Sequence, residues 1–171
     1  MIASFFPVRC EDAGCTKGQM LSKGIEQYHP RTFAFVSVDF YKPASLMRRT
    51  GAVMEVRFHH LWMLPQFILS DASFAREHRW ILDYVGKAYA EDLNQRKPAV
   101  IYVDTSPEVL RGHPGVDLLG YLEVAPGFSD AWKQYRRIGV IDICRDAKPD
   151  DPHSEPVKTN CRLDVYGRIA Q

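Results

Sequence analysis

Residues 70–104 constrain the fold of this chain more than any other stretch. Ile81, Leu82, Val85, Ala88, Tyr89 and Leu93 recur at spacings of three and four, so they share one helical face. Ser70, Asp71 and Ser73 each carry a short side-chain oxygen that can accept an N–H of a first helical turn. Arg96 and Lys97 put cations at the negative end of the helix dipole, and Pro98 stops the helix. The pattern predicts one helix over 74–96. Ala99-Val100-Ile101-Tyr102-Val103 follows with no polar break. A strand apolar on both faces belongs inside a sheet covered on both sides. A helix that feeds directly into such a strand is a unit of a layered α/β fold.

The rest of the chain extends the alternation. Thr16 can cap a helix carrying Met20, Leu21, Ile25 and Tyr28, and Thr32 to Val38 reads as a strand ending at Asp39. Lys42-Pro43 opens a helical turn that Gly51 ends in the left-handed conformation. Val53 to Phe58 alternates as a strand whose polar face carries Glu55 and Arg57. Ser106-Pro107-Glu108 can start a short helix, His113-Pro114-Gly115 is a turn, and Leu119 to Val124 is a candidate strand. Ser129 can cap a helix in which Phe128, Trp132, Tyr135 and Ile138 lie near one face, with Gly139 at its end. Val140 to Cys144 and Cys161 to Tyr166 are the last strands, around an exposed polar loop with three prolines. The expectation is a single α/β domain over 1–171. It is a three-layer sandwich with a mainly parallel sheet and a C-terminal antiparallel hairpin at its edge.

Composition narrows the function classes. The 171 residues suit one domain with a sizeable core. A net charge of +1 gives no electrostatic basis for binding nucleic acid or an anionic membrane surface. No apolar run approaches the roughly 20 residues that span a bilayer. Met1 to Phe6 lacks a basic region and Pro7 interrupts it, so no signal peptide is expected there.

Candidate chemistry gathers at strand ends. Asp39 and Asp104 each follow a strand, where open parallel sheets bind ligands. They could hold a metal or act as acid and base; the competing reading is that they cap the next turn. His59 and His60 are adjacent and point to opposite sides of an extended segment, so they cannot easily share one metal. Asp39, Tyr41, His59, His60 and Asp104 make up the candidate ligand surface. No phosphate loop, H-E-x-x-H or G-x-S-x-G occurs, so no cofactor and no metal centre is expected. Glu11 and Asp12 would raise the thiol pKa values of Cys10 and Cys15, which argues against a nucleophile. Arg48-Arg49 and Arg136-Arg137 read as solvated helix faces. Phe58, Trp62, Phe67 and Trp80 could line a groove or form the seam between helix and sheet.

Several stretches resemble the C-terminal soluble domain of bacterial multi-pass membrane glycosyltransferases of the protein mannosyltransferase and aminoarabinose transferase type. They are Gly51 followed by Arg57-Phe58 and Leu61-Trp62-Met63-Leu64-Pro65; Lys97-Pro98-Ala99-Val100-Ile101-Tyr102-Val103-Asp104; Trp132 with Tyr135; and Asp164-Val165-Tyr166-Gly167-Arg168. The resemblance implies an α/β domain facing the periplasm. Its partner would be the membrane-embedded glycosyltransferase region or the lipid-linked sugar. In that family the catalytic acids lie in the membrane part, so none is carried over to this chain. The alternative is a free-standing small enzyme, a metal-assisted hydrolase or transferase of the cytoplasm, that uses Asp39, Asp104 and His59 or His60.

Cysteine placement bears on the compartment. Cys144 and Cys161 sit at the loop-proximal ends of the proposed hairpin, so antiparallel pairing brings them within bridging reach. Cys10 and Cys15 could bridge in the same way, with less entropy to gain and more strain. Both bridges fit the periplasmic side that the resemblance implies; the competing reading is four unpaired thiols in a cytosolic protein.

Overall fold

The computed structural model describes residues 4–5, 17–39, 41–110, 112–144 and 161–169. Every residue of Val100–Asp104 (β4) is buried, as its unbroken apolar run requires. β4 pairs in parallel with Thr32–Val36 (β2), and β2 pairs in parallel with the short Val53–Met54 (β3). On its other side β4 meets Arg162–Arg168 (β6) antiparallel, and β6 meets Tyr135–Asp142 (β5) antiparallel. Ser4–Phe5 (β1) joins β5 in parallel. The order of this six-stranded sheet is β1-β5-β6-β4-β2-β3. It is a mixed sheet in which β6 runs against the other strands.

The hairpin expected at an edge lies inside the sheet, because β6 is inserted between β5 and β4. That position gives the backbone of β6 partners on both sides, which an edge strand lacks. Ile138 is an extra residue between Arg137 and Gly139, opposite Tyr166 and Val165 of β6. Its side chain lies over Gly167, where an added Cβ would come within 3.0 Å of it.

The helices are Lys17–Glu26 (α1), Tyr41–Thr50 (α2), Leu64–Leu69 (α3), Ala72–Glu77 (α4), Arg79–Gln95 (α5), Leu118–Glu123 (α6) and Phe128–Trp132 (α7). The single helix expected over 74–96 is broken at His78, whose backbone leaves the helical well (φ −102°, ψ 11°). Its ring stacks on Phe74 at 4.1 Å, and Nδ1 lies 3.0 Å from the Phe74 carbonyl. Asp71 is the cap, accepting from the N–H groups of Ser73 and Phe74. After the break, α5 buries Leu82, Val85, Ala88, Tyr89 and Leu93 as the spacing predicts.

Three other expectations are corrected. Residues 119–124 lie in a helical segment rather than a strand: Asp117 caps α6, and Leu118 and Leu122, one turn apart, are both buried. Tyr135 and Ile138 belong to β5, since α7 ends at Trp132. Residues 106–108 enter a turn, not a helix. Gly51 does close α2 at φ 70°, donating to the Met47 carbonyl. The Arg136-Arg137 pair lies on β5, where Arg137 pairs with Asp164 at 2.8 Å.

Two buried tyrosines tie helices to the sheet. The Tyr102 hydroxyl of β4 donates to the Ile25 carbonyl in α1 at 3.1 Å. The Tyr89 hydroxyl of α5 shares its proton between the carbonyls of Phe35 (3.0 Å) and Phe58 (2.9 Å). Burial raises the pKa of both phenols, so they stay neutral donors. Cys144 and Cys161 form a disulfide with a Cα–Cα distance of 4.8 Å. Cys10, Cys15, Thr16 and the loop at 145–160 lie outside the described residues.

The approach of α5 to the chain at Leu122 and Ala125 sets a stability prediction. A Cβ on Gly86 of α5 would lie 2.4 Å from the Ala125 Cβ and 2.8 Å from the Leu122 carbonyl oxygen. Overpacking of this kind costs up to ~3 kcal/mol, against ~1 kcal/mol of helix propensity gained by replacing glycine. Gly86→Ala should therefore lower the stability by ~2 kcal/mol in urea unfolding. Adding Ala125→Gly should restore part of the loss. A Gly86→Ala protein as stable as the parent would contradict the packing.

Candidate functional site

The carboxyl ends of β2 and β4 carry a buried polar cluster built on Asp104, which is only 1% exposed. Ser106 donates to its Oδ1 twice, from Oγ at 2.6 Å and from N–H at 3.1 Å. Ser37, just after β2, donates from Oγ to Oδ2 at 3.2 Å. The Ser37 hydroxyl in turn accepts the Asp39 N–H at 3.0 Å, and the Ser37 carbonyl accepts the Leu61 N–H at 2.8 Å. Ser106 Oγ also accepts the N–H groups of Cys161 (2.8 Å) and Arg162 (3.0 Å). One carboxylate thus joins β2, β4, the turn after β4 and the disulfide-bonded start of β6. A buried carboxylate is tolerable only when several donors replace its water.

A second buried carboxylate lies on α5. Asp92 is 3% exposed and accepts the Arg57 N–H at 2.8 Å and the Arg57 Nε at 3.1 Å. Arg57 Nη2 reaches the Ala88 carbonyl at 2.8 Å and Glu91 Oε2 at 2.7 Å. Arg96, one turn on, lies 3.5 Å from Asp92. The hydrogen bond to Glu91 is the main reason that the pKa of Arg57 is raised, so the guanidinium stays charged. This grip takes Arg57 out of the strand expected to Phe58, and β3 stops at Met54.

Beyond Arg57 the chain forms a shallow pocket of about 190 Å³, lined by Arg57, Phe58, His59, His60 and Trp62. The indole of Trp62 is 66% exposed. Phe58 lies edge-on to the exposed Tyr84 of α5, with ring centroids 6.0 Å apart. The aromatic group expected as one groove or one seam is therefore divided. Phe67 is buried and packs on Phe74, whereas Trp62 and Trp80 face outward. Two larger clefts lie elsewhere. A polar one of about 570 Å³ runs past Glu26, Arg31 and Arg49. A mainly apolar one of about 600 Å³ lies between Ile68, Leu82 and the 112–124 segment.

Of the candidate surface, Asp39 and Asp104 meet at one hydroxyl, that of Ser37, Asp39 through its backbone and Asp104 through its carboxylate. His60 precedes Leu61, which is hydrogen-bonded to the Ser37 carbonyl, so the histidine segment borders the same strand end. Tyr41 opens α2. Ser37 and Ser106 carry no periodic signal in the sequence, and Arg57 and Asp92 are 35 residues apart. A charged residue inside the otherwise apolar face of α5 was the available sign of Asp92. Among the described residues, no three His, Cys, Asp or Glu side chains gather closely enough to hold a metal ion. Among the same residues, no helix is long and apolar enough to cross a membrane.

If Asp104 is a tie, Asp104→Asn removes its charge and misplaces one acceptor among buried donors. The expected loss is about 1–3 kcal/mol, read as a lower urea midpoint at an unchanged slope. Unchanged or greater stability would mark Asp104 as a carboxylate kept for chemistry at the expense of the fold. Compared with known protein families, curated proteins and solved structures, the chain finds no match.

Proposed function

We propose that this chain is an extracytoplasmic accessory α/β domain of a lipid-linked-sugar glycosyltransferase-like membrane protein, with the chemistry supplied by the membrane-embedded region. The observation that carries this reading is the Cys144–Cys161 disulfide. Glutathione keeps most cytosolic thiols reduced, so a structural disulfide favours the periplasmic side. The residue pattern adds to it: Gly51 with Arg57-Phe58 and Leu61 to Pro65, Lys97 to Asp104, Trp132 with Tyr135, and Asp164 to Arg168 resemble the soluble domain of such enzymes. In this chain these stretches do packing work. Arg57 clamps α5, Lys97 to Asp104 leads into and forms β4, and Trp132 lies 4.8 Å from Tyr166 and 6.1 Å from Tyr135.

The same reading completes the architecture as a three-layer sandwich on a mainly parallel sheet. The step from β2 through α2 to β3 moves one way along the sheet, and the step from β3 through α5 to β4 moves back. The right-handed rule for such crossovers supports α2 and α5 on opposite faces. The engagement of Asp104 by Ser37 and Ser106 supports a domain whose strand-end carboxylate is structural.

Protease protection in the native host tests the compartment. Protease added to intact spheroplasts should degrade this domain, and the undigested protein should fractionate with membranes. A cytosolic domain, protected until lysis and showing turnover that Asp104→Asn abolishes, would replace this reading with the free-standing enzyme.

A further inference from the structure

We infer that the pocket formed by Arg57, Phe58, His59, His60 and Trp62 binds one neutral sugar ring. The lining sets the ligand class by elimination. The pocket presents little net cationic charge from Arg57, because Asp92 at 3.1 Å and Glu91 at 2.7 Å already neutralise it. A phosphate or carboxylate therefore gains little there over water. His59 and His60, expected on opposite sides of an extended segment, both line this pocket because the chain bends at them; among the described residues no third His, Cys, Asp or Glu joins them closely enough to hold a metal ion. A volume of about 190 Å³ is below the roughly 300–1,000 Å³ that encloses drug-sized ligands, so it suits a single ring rather than a nucleotide or a lipid tail.

What remains is a ligand with an apolar face and a hydroxyl rim. The exposed Trp62 indole and the half-buried Phe58 ring offer flat apolar surface. His59, an exposed residue of the lining, brings an imidazole that can donate and accept a hydrogen bond. The ring wall is also held in place. Phe58 has its carbonyl fixed by the Tyr89 hydroxyl, and its ring rests against Tyr84. Arg57 is clamped to α5 by both backbone and side chain. A surface fixed in this way loses little conformational entropy on binding. Tyr84 and Trp80, one helical turn apart on α5, continue the exposed aromatic surface away from the pocket.

This inference deepens the reading above and rests on it for the partner, the sugar end of a lipid-linked donor or acceptor. The pocket's own chemistry selects the ligand class. The test uses the oxidised full chain titrated with uncharged monosaccharides and their methyl glycosides, with uridine, adenosine and inorganic phosphate in parallel. Protein NMR shifts and saturation transfer to the ligand report binding. Neutral sugars should bind with dissociation constants of about 1–10 mM, the range of weak single-ring contacts. Trp62→Ala should weaken binding at least tenfold without lowering the melting temperature, since this indole is largely exposed. Trp80→Ala, outside the pocket, should leave binding unchanged. The inference is overturned if no sugar binds, if nucleosides or phosphate bind instead, or if Trp62→Ala binds as the parent does. A domain exposed to protease on spheroplasts that binds no sugar loses the pocket and keeps its compartment. A cytosolic chain that binds sugar through Trp62 loses the glycosyltransferase reading and keeps the pocket.

Discussion

The Asp104 carboxylate is the interaction on which the arrangement of the strand ends depends. Removing a carboxylate from water costs several kcal/mol even after relaxation, so its burial demands compensation from fixed donors. Those donors come from distant parts of the chain: Ser37 after β2, Ser106 after β4, and through Ser106 the amides of Cys161 and Arg162. A shift of any of these segments removes a donor from the buried carboxylate or an acceptor from the Cys161 and Arg162 amides. The disulfide acts at the same place, since Cys161 is both bridged to Cys144 and hydrogen-bonded to Ser106. Covalent and polar ties thus converge where β6 enters the sheet, and this fixes the register of a strand inserted between two others.

Asp92 does for the opposite flank what Asp104 does for the strand ends. It draws the backbone and guanidinium of Arg57 onto α5, while β3 stops at Met54 and His59 lies exposed beyond the clamp. Leu61 then returns to the core through its hydrogen bond to the Ser37 carbonyl. The exposed aromatic pocket is formed by the stretch between these two anchors together with Trp62, just beyond the second. Its residues hold a defined surface without being buried, and that combination suits recognition of a small ligand.

Legibility in the sequence followed the strength of the hydrophobic period. β4 and the buried face of α5 were readable because many apolar residues repeat without interruption. The disulfide was readable because a hairpin constrains which residues can face each other. The break at His78 was not, because the helical spacing of apolar residues continues across it. Leu118–Glu123 is too short for its period to separate helix from strand. Tyr135 and Ile138 fit a helical spacing by coincidence, while a bulge in β5 disguises the strand's alternation. At the site, Asp104 is the last residue of β4, and Asp39 lies three residues past the end of β2. Ser37, Ser106 and Asp92 were not anticipated as partners, since polar pairs far apart in sequence leave no local pattern.

Native-state hydrogen exchange tests most directly whether the Asp104 cluster is the tie that holds these segments. The amides of Cys161 and Arg162 both donate to the Ser106 hydroxyl. In the oxidised protein they should exchange only through global unfolding, and in Ser106→Ala they should exchange by local opening at least tenfold faster than the core amides of β4. Equal protection of these two amides in the parent and in Ser106→Ala would contradict the account.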